Sequence, residues 1–197
     1  MPDRLDLSGG PTVRAFIAVN LDQGLKDALV KVQERLKATH ADVGWVRPES
    51  LHLTLKFLGQ VEESRLGAVA EAIAAAAADY GSFRLVLGGL GAFPQPRAAR
   101  VVWIAIQQGA EALATLHARV EAGLESLGFV REERPFAAHL TLGRVRGPAR
   151  REQLAVALTS IPAGRLGEMM LHRIELMKSE LGPGGARYTV LQTFPLA

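Results

Sequence analysis

The sequence predicts an α+β protein of two similar lobes, each contributing one strand to a shared cleft. Three observations carry that prediction. The tetrapeptide His-Leu-Thr-Leu occurs at 52–55 and again at 139–142, in a chain of 197 residues with five histidines. Both copies lie in segments whose apolar and polar residues alternate as in a half-buried strand. Both are also embedded in the same order of elements: helix, motif strand, helix, strand pair. Two copies so far apart indicate a duplicated lobe and not a solenoid array.

The elements follow in order. "TVRAFIAVN" (12–20) is β-branched and aromatic and reads as a buried strand. Asp22 then opens a helix in which Leu25, Leu29, Val32 and Leu36 recur at helical spacing. After a turn and "WVRP" comes "LHLTLKFLG", with Leu51, Leu53, Leu55 and Phe57 alternating against His52, Thr54 and Lys56. The Ala-rich "ESRLGAVAEAIAAAAADY" reads as a second helix, and "FRLVLGGLGAF" and "RVVWIAI" as strands separated by "PQPRAA". A third helix has Leu113, Leu116, Val120, Leu124 and Leu127 on one face. "FAAHLTLGRV" is the second motif strand, and "ARREQLAVALTSI" is a short helix behind it. The chain closes with "GRLGEMMLHRIELMKSEL", a Gly-Pro-Gly-Gly turn and "ARYTVLQTFPL", read as two strands. The expected organisation is a single bilobal domain over 1–197, with lobes near 12–100 and 101–197 and the first strand free to cross between them.

Composition limits the chemistry. An apolar fraction of 48% is ample for a core, and there is no cysteine, so disulfides, thiolate ligands and cysteine nucleophiles are excluded. No apolar run is long enough to span a bilayer and the N-terminal stretch has no hydrophobic signal core, so a cytoplasmic protein is expected. Net charge is +3 with a pI near 9.6. Arginines cluster at 97–100 and 143–151, which suits a phosphate-rich partner.

On a strand, His52 and Thr54 share one face while Leu53 and Leu55 occupy the other, and the same holds for His139 and Thr141. If the lobes face each other, two imidazoles and two hydroxyls line one cleft. Imidazole titrates near neutrality, so one His can act as base while the other acts as acid. Threonine hydroxyls two residues away can donate to nonbridging phosphoryl oxygens. The constellation suits in-line attack at phosphorus. A catalytic zinc site needs a third protein ligand that neither motif supplies, so no metal and no cofactor are expected.

Paired His-x-Thr-x motifs in a bilobal chain resemble the 2H phosphoesterase superfamily, and more narrowly its bacterial and archaeal 2′,5′-RNA ligase type, the RNA 2′,3′-cyclic phosphodiesterases. The segments that carry the resemblance are "RAFIAV", "HLTLKFLG", "RVVWIAI", "RPFAAHLTLGR" and "YTVLQTF". One departure is Ala138 before the second motif's His, where relatives often have Pro; here the proline is Pro135.

The resemblance implies two lobes of antiparallel sheet with helices on the outer side, related by a pseudo-two-fold around a central cleft. It implies His139 as the general base that activates water and His52 as the general acid that protonates the leaving 3′-oxygen. Thr54, Thr141 and Arg144 would hold the phosphate. The implied reaction is hydrolysis of an RNA 2′,3′-cyclic phosphate end to a 2′-phosphomonoester. The alternatives are reversible 2′,5′ ligation of RNA ends at the same site and, from another class, a non-catalytic RNA-binding module. The implied partner is RNA, including tRNA halves, or a nucleotide, and a monomer is expected.

The remaining candidates are assigned more ordinary places. His40 and His117 are expected at the surface, His172 within a strand, Lys56 in solvent at a strand end, and Phe57 in the core. Arg97, Arg100, Arg131, Arg134 and Arg146 are candidates to guide an RNA backbone. Phe93, Phe136 and Tyr188 are candidates to stack on bases.

Overall fold

The computed structural model describes residues 10–182 and 185–197. Pro183 and Gly184, the tip of the expected closing turn, lie outside the described residues. The chain runs β1 (Thr12–Asn20), α1 (Gln23–Lys37), β2 (Val43–Trp45), β3 (His52–Glu62), α2 (Leu66–Ala78), β4 (Phe83–Phe93), β5 (Val101–Gln108) and α3 (Ala110–Glu125). It continues with β6 (His139–Val145), α4 (Arg151–Ser160), β7 (Arg165–Leu171), β8 (Arg173–Gly182) and β9 (Gly185–Pro195).

The strands form two antiparallel sheets, ordered β3-β1-β8-β9 and β2-β6-β5-β4-β7. Helices α2 and α3 pack on each other; α2 also lies against β8 and β9, and α3 against β3 and β5. Helix α1 packs on β7, and α4 on β4. The expected class, two antiparallel sheets with helices covering them, is what the molecule shows.

The linear lobes expected at 12–100 and 101–197 do not coincide with the sheets. Strand β4, from the first half, pairs with β5 and β7 in the second sheet, while β8 and β9, from the end of the chain, complete the first sheet beside β1. Each sheet therefore draws on both halves. The expected single strand through His172 is also two strands. Leu171 ends β7 in one sheet, Arg173 starts β8 in the other, and the exposed His172 is the one residue at the crossing.

Local signals behave as the periodicities require. Asp22 caps α1 by accepting from the Leu25 N–H at 2.8 Å, and Leu25, Leu29, Val32 and Leu36 are buried. One residue of that buried face is polar. Gln33 is fully buried and its Nε2 donates to the carbonyls of Val46 (2.8 Å) and Leu142 (2.9 Å). Leu142 belongs to the second motif, so α1 is fastened to the strand that carries His139.

The core is shared between the sheets. Leu53 and Leu55 of β3 join Leu140 and Leu142 of β6 in one apolar cluster, with side chains from all four helices. Strands β3 and β6 adjoin across the seam between the sheets. The polar residues of both motifs consequently emerge on adjoining strands, on the side away from this common core.

Candidate active site

Each motif histidine is held the same way. His52 Nδ1 lies 2.7 Å from the carbonyl of Ser50, and His139 Nδ1 lies 2.7 Å from the carbonyl of Ala137. A carbonyl oxygen only accepts, so in both rings Nδ1 carries hydrogen and Nε2 is left for proton transfer. An aromatic edge steadies each ring. Tyr188 meets His52 at 5.1 Å and 86°, and Phe93 meets His139 at 5.1 Å and 88°.

The two sites differ in burial. Phe16 also packs on His52, at 5.0 Å, and a small second apolar cluster of Phe16, Ala18 and Met177, with Tyr188 against it, underlies that ring. Burial is the largest influence on His52 and lowers its pKa below the ordinary 6.5; the Ser50 bond opposes this and Lys26 adds to it. Nε2 of neutral His52 accepts a hydrogen bond from the Thr54 hydroxyl at 3.0 Å. The two residues of the first motif are thus joined before any substrate arrives.

Both motif strands break their alternation at the same place. In β3, Ile17 and Ala18 pair with Lys56 and Thr54, leaving Leu55 unpaired; in β6, Val102 and Trp103 pair with Gly143 and Thr141, leaving Leu142 unpaired. The second leucine of each His-Leu-Thr-Leu is therefore the extra residue of a β-bulge. A bulge shifts the parity of everything after it. The residue two beyond Thr turns inward (Lys56, Gly143), and the residue three beyond Thr returns to the motif face (Phe57, Arg144).

This corrects two expectations. Phe57 is not core but 59% exposed, with its ring 6.1 Å from that of Phe16. Lys56 is not solvated but 2% exposed. Its ammonium is paired with the buried Glu121 of α3 and donates to the Val130 carbonyl at 2.9 Å. In the second copy the inward position is Gly143, where a Cβ would lie 2.7 Å from Val43 and 2.9 Å from Trp45.

The register places Arg144 with the second motif. Arg144 pairs with Val101, Val101 with Phe93, and the Phe93 ring touches His139; Trp103, opposite Thr141, packs on Phe93 at 5.0 Å. Directly paired residues point to the same face, so His139, Thr141 and Arg144 share one.

His117 is a further correction, since it is 8% exposed and not at the surface. It stacks on Phe136 at 4.2 Å and 15°, and its Nε2 lies 3.6 Å from Glu121. Burial lowers its pKa most; Glu121 and Glu132 oppose that, and Lys56 adds to it. Glu121 also accepts from the backbone N–H of Glu132 at 3.3 Å. Lys56, Glu121, His117 and Phe136 thus tie the first motif strand, α3 and the segment leading to His139 into one network. The sequence held a signal for it, because positions 117 and 121 fall on the same helical face as Leu113, Leu116, Val120 and Leu124.

The other candidates disperse. Arg131 is paired with Glu125 at 2.8 Å, and His40 is an exposed residue with positive φ. Arg97, Arg100 and Arg134 are exposed, outside any ion pair among the described residues. Among the described residues no group of three His, Asp or Glu is arranged to hold a metal ion, and no helix is long and apolar enough to cross a membrane.

Comparison with known proteins identifies the family and the fold. The family model of the 2′-5′ RNA ligase superfamily matches residues 23–183. The chain belongs to that superfamily. It is 39% identical over 184 residues to the RNA 2′,3′-cyclic phosphodiesterase of Methanothermobacter thermautotrophicus, covering 93% of this chain and 99% of the relative. Among solved structures, TT0787 of Thermus thermophilus superposes with a TM-score of 0.79 at 32% identity, over 93% of this chain and 97% of that one. Apo LigT of E. coli superposes with a TM-score of 0.74 at 25% identity, over 94% and 98%.

Two predictions follow from the site. Lys56→Met, which strands a buried carboxylate, is expected to cost about 3–5 kcal/mol. The double change Lys56→Met with Glu121→Leu should recover much of that loss, read from denaturant midpoints at unchanged slope. The second concerns protonation. In a histidine NMR titration His52 should have its midpoint below 6.5 in the free protein and move upward when inorganic phosphate is added, because an adjacent anion favours the imidazolium. Since the unfolded chain takes up that proton first, the stability His52 contributes is present above about pH 6.5 and is lost as pH falls through its folded-state value.

Proposed function

We propose that this protein is an RNA 2′,3′-cyclic phosphodiesterase, using the paired histidines as acid and base without a metal ion. The observation that carries the proposal is that each imidazole keeps Nδ1 bonded to a carbonyl two residues back, which directs its Nε2 to proton transfer, on two strands that adjoin over one apolar core. The relative from M. thermautotrophicus, whose whole length matches this chain, carries that activity in its name.

In the proposed reaction His139 Nε2 takes a proton from water as the water oxygen attacks phosphorus. The P–O3′ bond breaks, and His52 Nε2–H delivers a proton to the departing 3′-oxygen. The products are a 2′-phosphomonoester and a 3′-hydroxyl. His52 is neutral in the free protein by virtue of its burial, and the negative charge of the bound phosphate restores the imidazolium that the acid role needs.

Thr54 then releases its contact with Nε2 and, with Thr141 and Arg144, donates to the nonbridging oxygens where charge accumulates. Joining a cyclic end to a 5′-hydroxyl uses the same groups in the same roles, with the 5′-hydroxyl in place of water, and the roles exchange when the resulting 2′,5′ linkage is cleaved. Hydrolysis prevails in water because water is the abundant nucleophile.

His52→Ala and His139→Ala should each lower kcat by about 10²–10⁴ on an oligoribonucleotide ending in a 2′,3′-cyclic phosphate. Wild-type activity should survive excess chelator. Undiminished turnover by either variant would contradict the proposal, and a strict zinc requirement would contradict its metal-free form.

A further inference from the structure

The motif face of the second sheet carries a second arginine that the reaction does not use. Arg146 lies one residue past the end of β6, two beyond Arg144, and its N–H still bonds across to the Asp42 carbonyl ahead of β2 at 2.9 Å. Arg144 stands opposite Gly44 of β2, and a Cβ built on Gly44 would lie 2.5 Å from Arg146 Nε and 2.7 Å from its Nη2. The guanidinium of Arg146 therefore lies back across Gly44 toward Arg144, in a place that only glycine leaves open. The opposite face is apolar there: Val43, Trp45 and Val145 pack against the core.

Neither charge is compensated. Among the described residues neither Arg144 nor Arg146 is in an ion pair, whereas Arg131, Arg165 and Arg173 each have a glutamate. Asp42, two residues before Gly44, accepts at its carbonyl from the Arg146 N–H at 2.9 Å, and its carboxylate lies beside Gly147 without forming an ion pair with either arginine. Two arginines on one face, neither of them in an ion pair, repel each other and gain from an anion with more than one phosphate.

We propose that Arg146, seated on Gly44, binds the phosphate adjacent to the reacting one, so that a polynucleotide end is preferred over a mononucleotide. This rests on the phosphodiesterase reading above. A nucleoside 2′,3′-cyclic phosphate has only the reacting phosphate. A dinucleotide with the same terminus has one more, on the 5′-oxygen of its last nucleoside, and successive phosphates along a strand match successive side chains on one face of a β-strand. Arg146 is a specificity residue in this assignment, while Arg144 serves the reacting phosphate.

The test compares kcat and KM for these two substrates in wild type, Arg146→Gln, Arg146→Lys and Gly44→Val. Wild type should favour the dinucleotide. Arg146→Gln should lose about tenfold in kcat/KM on the dinucleotide, through KM, and leave the mononucleotide unchanged. The dependence of log kcat/KM on log salt for the dinucleotide should weaken by about 0.7.

Gly44→Val retains the charge but displaces it, and should cause a similar selective loss, whereas Arg146→Lys should retain part of the preference. Equal losses on both substrates, or no loss on the dinucleotide, would overturn the assignment. If wild type hydrolyses neither substrate, the phosphodiesterase reading itself fails and the specificity assignment fails with it.

Discussion

The site depends on four leucines keeping to one side of two strands. Leu53, Leu55, Leu140 and Leu142 are at most 2% exposed and share one core, and each contributes about 1.5–3 kcal/mol by burial. Slipping either strand by one residue would exchange its faces, exposing leucines and burying a histidine and a threonine. The apolar residues of the motif thus fix the direction in which its chemistry points. Because β3 and β6 adjoin over that same core, fixing each strand separately also fixes the two His-Thr pairs relative to each other.

Within that frame the bulge at the second leucine decides what accompanies each pair. It carries one residue inward and brings the next back to the motif face, at the same position in both copies. The two copies then diverge. The first returns an aromatic ring, Phe57, and gives its inward position to Lys56, whose charge is met by Glu121; the second returns a cation, Arg144, over an inward glycine. A symmetric backbone device thereby presents unlike groups, an aromatic surface beside the buried His52 and positive charge beside the more open His139. That asymmetry suits a nucleotide, which has a flat base and an anionic phosphate.

Much of this was legible in the sequence and some of it could not be. Alternation over His52 to Leu55 and His139 to Leu142 is a short-range signal, and it identifies the faces of both motifs correctly. The same rule fails at Lys56 and Phe57, because a bulge is a property of the paired strands and leaves no trace in the period of one. His117 and Glu121 were readable on the helical stripe of α3, but their polarity outweighed their position. The sheet order lay beyond local patterns altogether. Antiparallel partners such as β1 and β8 are selected by packing across the whole chain, so a division near residue 100, sensible from composition, cuts through both sheets.

The account stands most directly on the fate of one bond. An oligoribonucleotide ending in a 2′,3′-cyclic phosphate, opened by the wild-type protein and examined by phosphorus NMR, should yield a 2′-phosphomonoester as the sole product. A 3′-phosphomonoester would contradict the assignment of His52 to the departing 3′-oxygen, and recovery of intact cyclic phosphate would contradict the catalytic reading of the paired motifs.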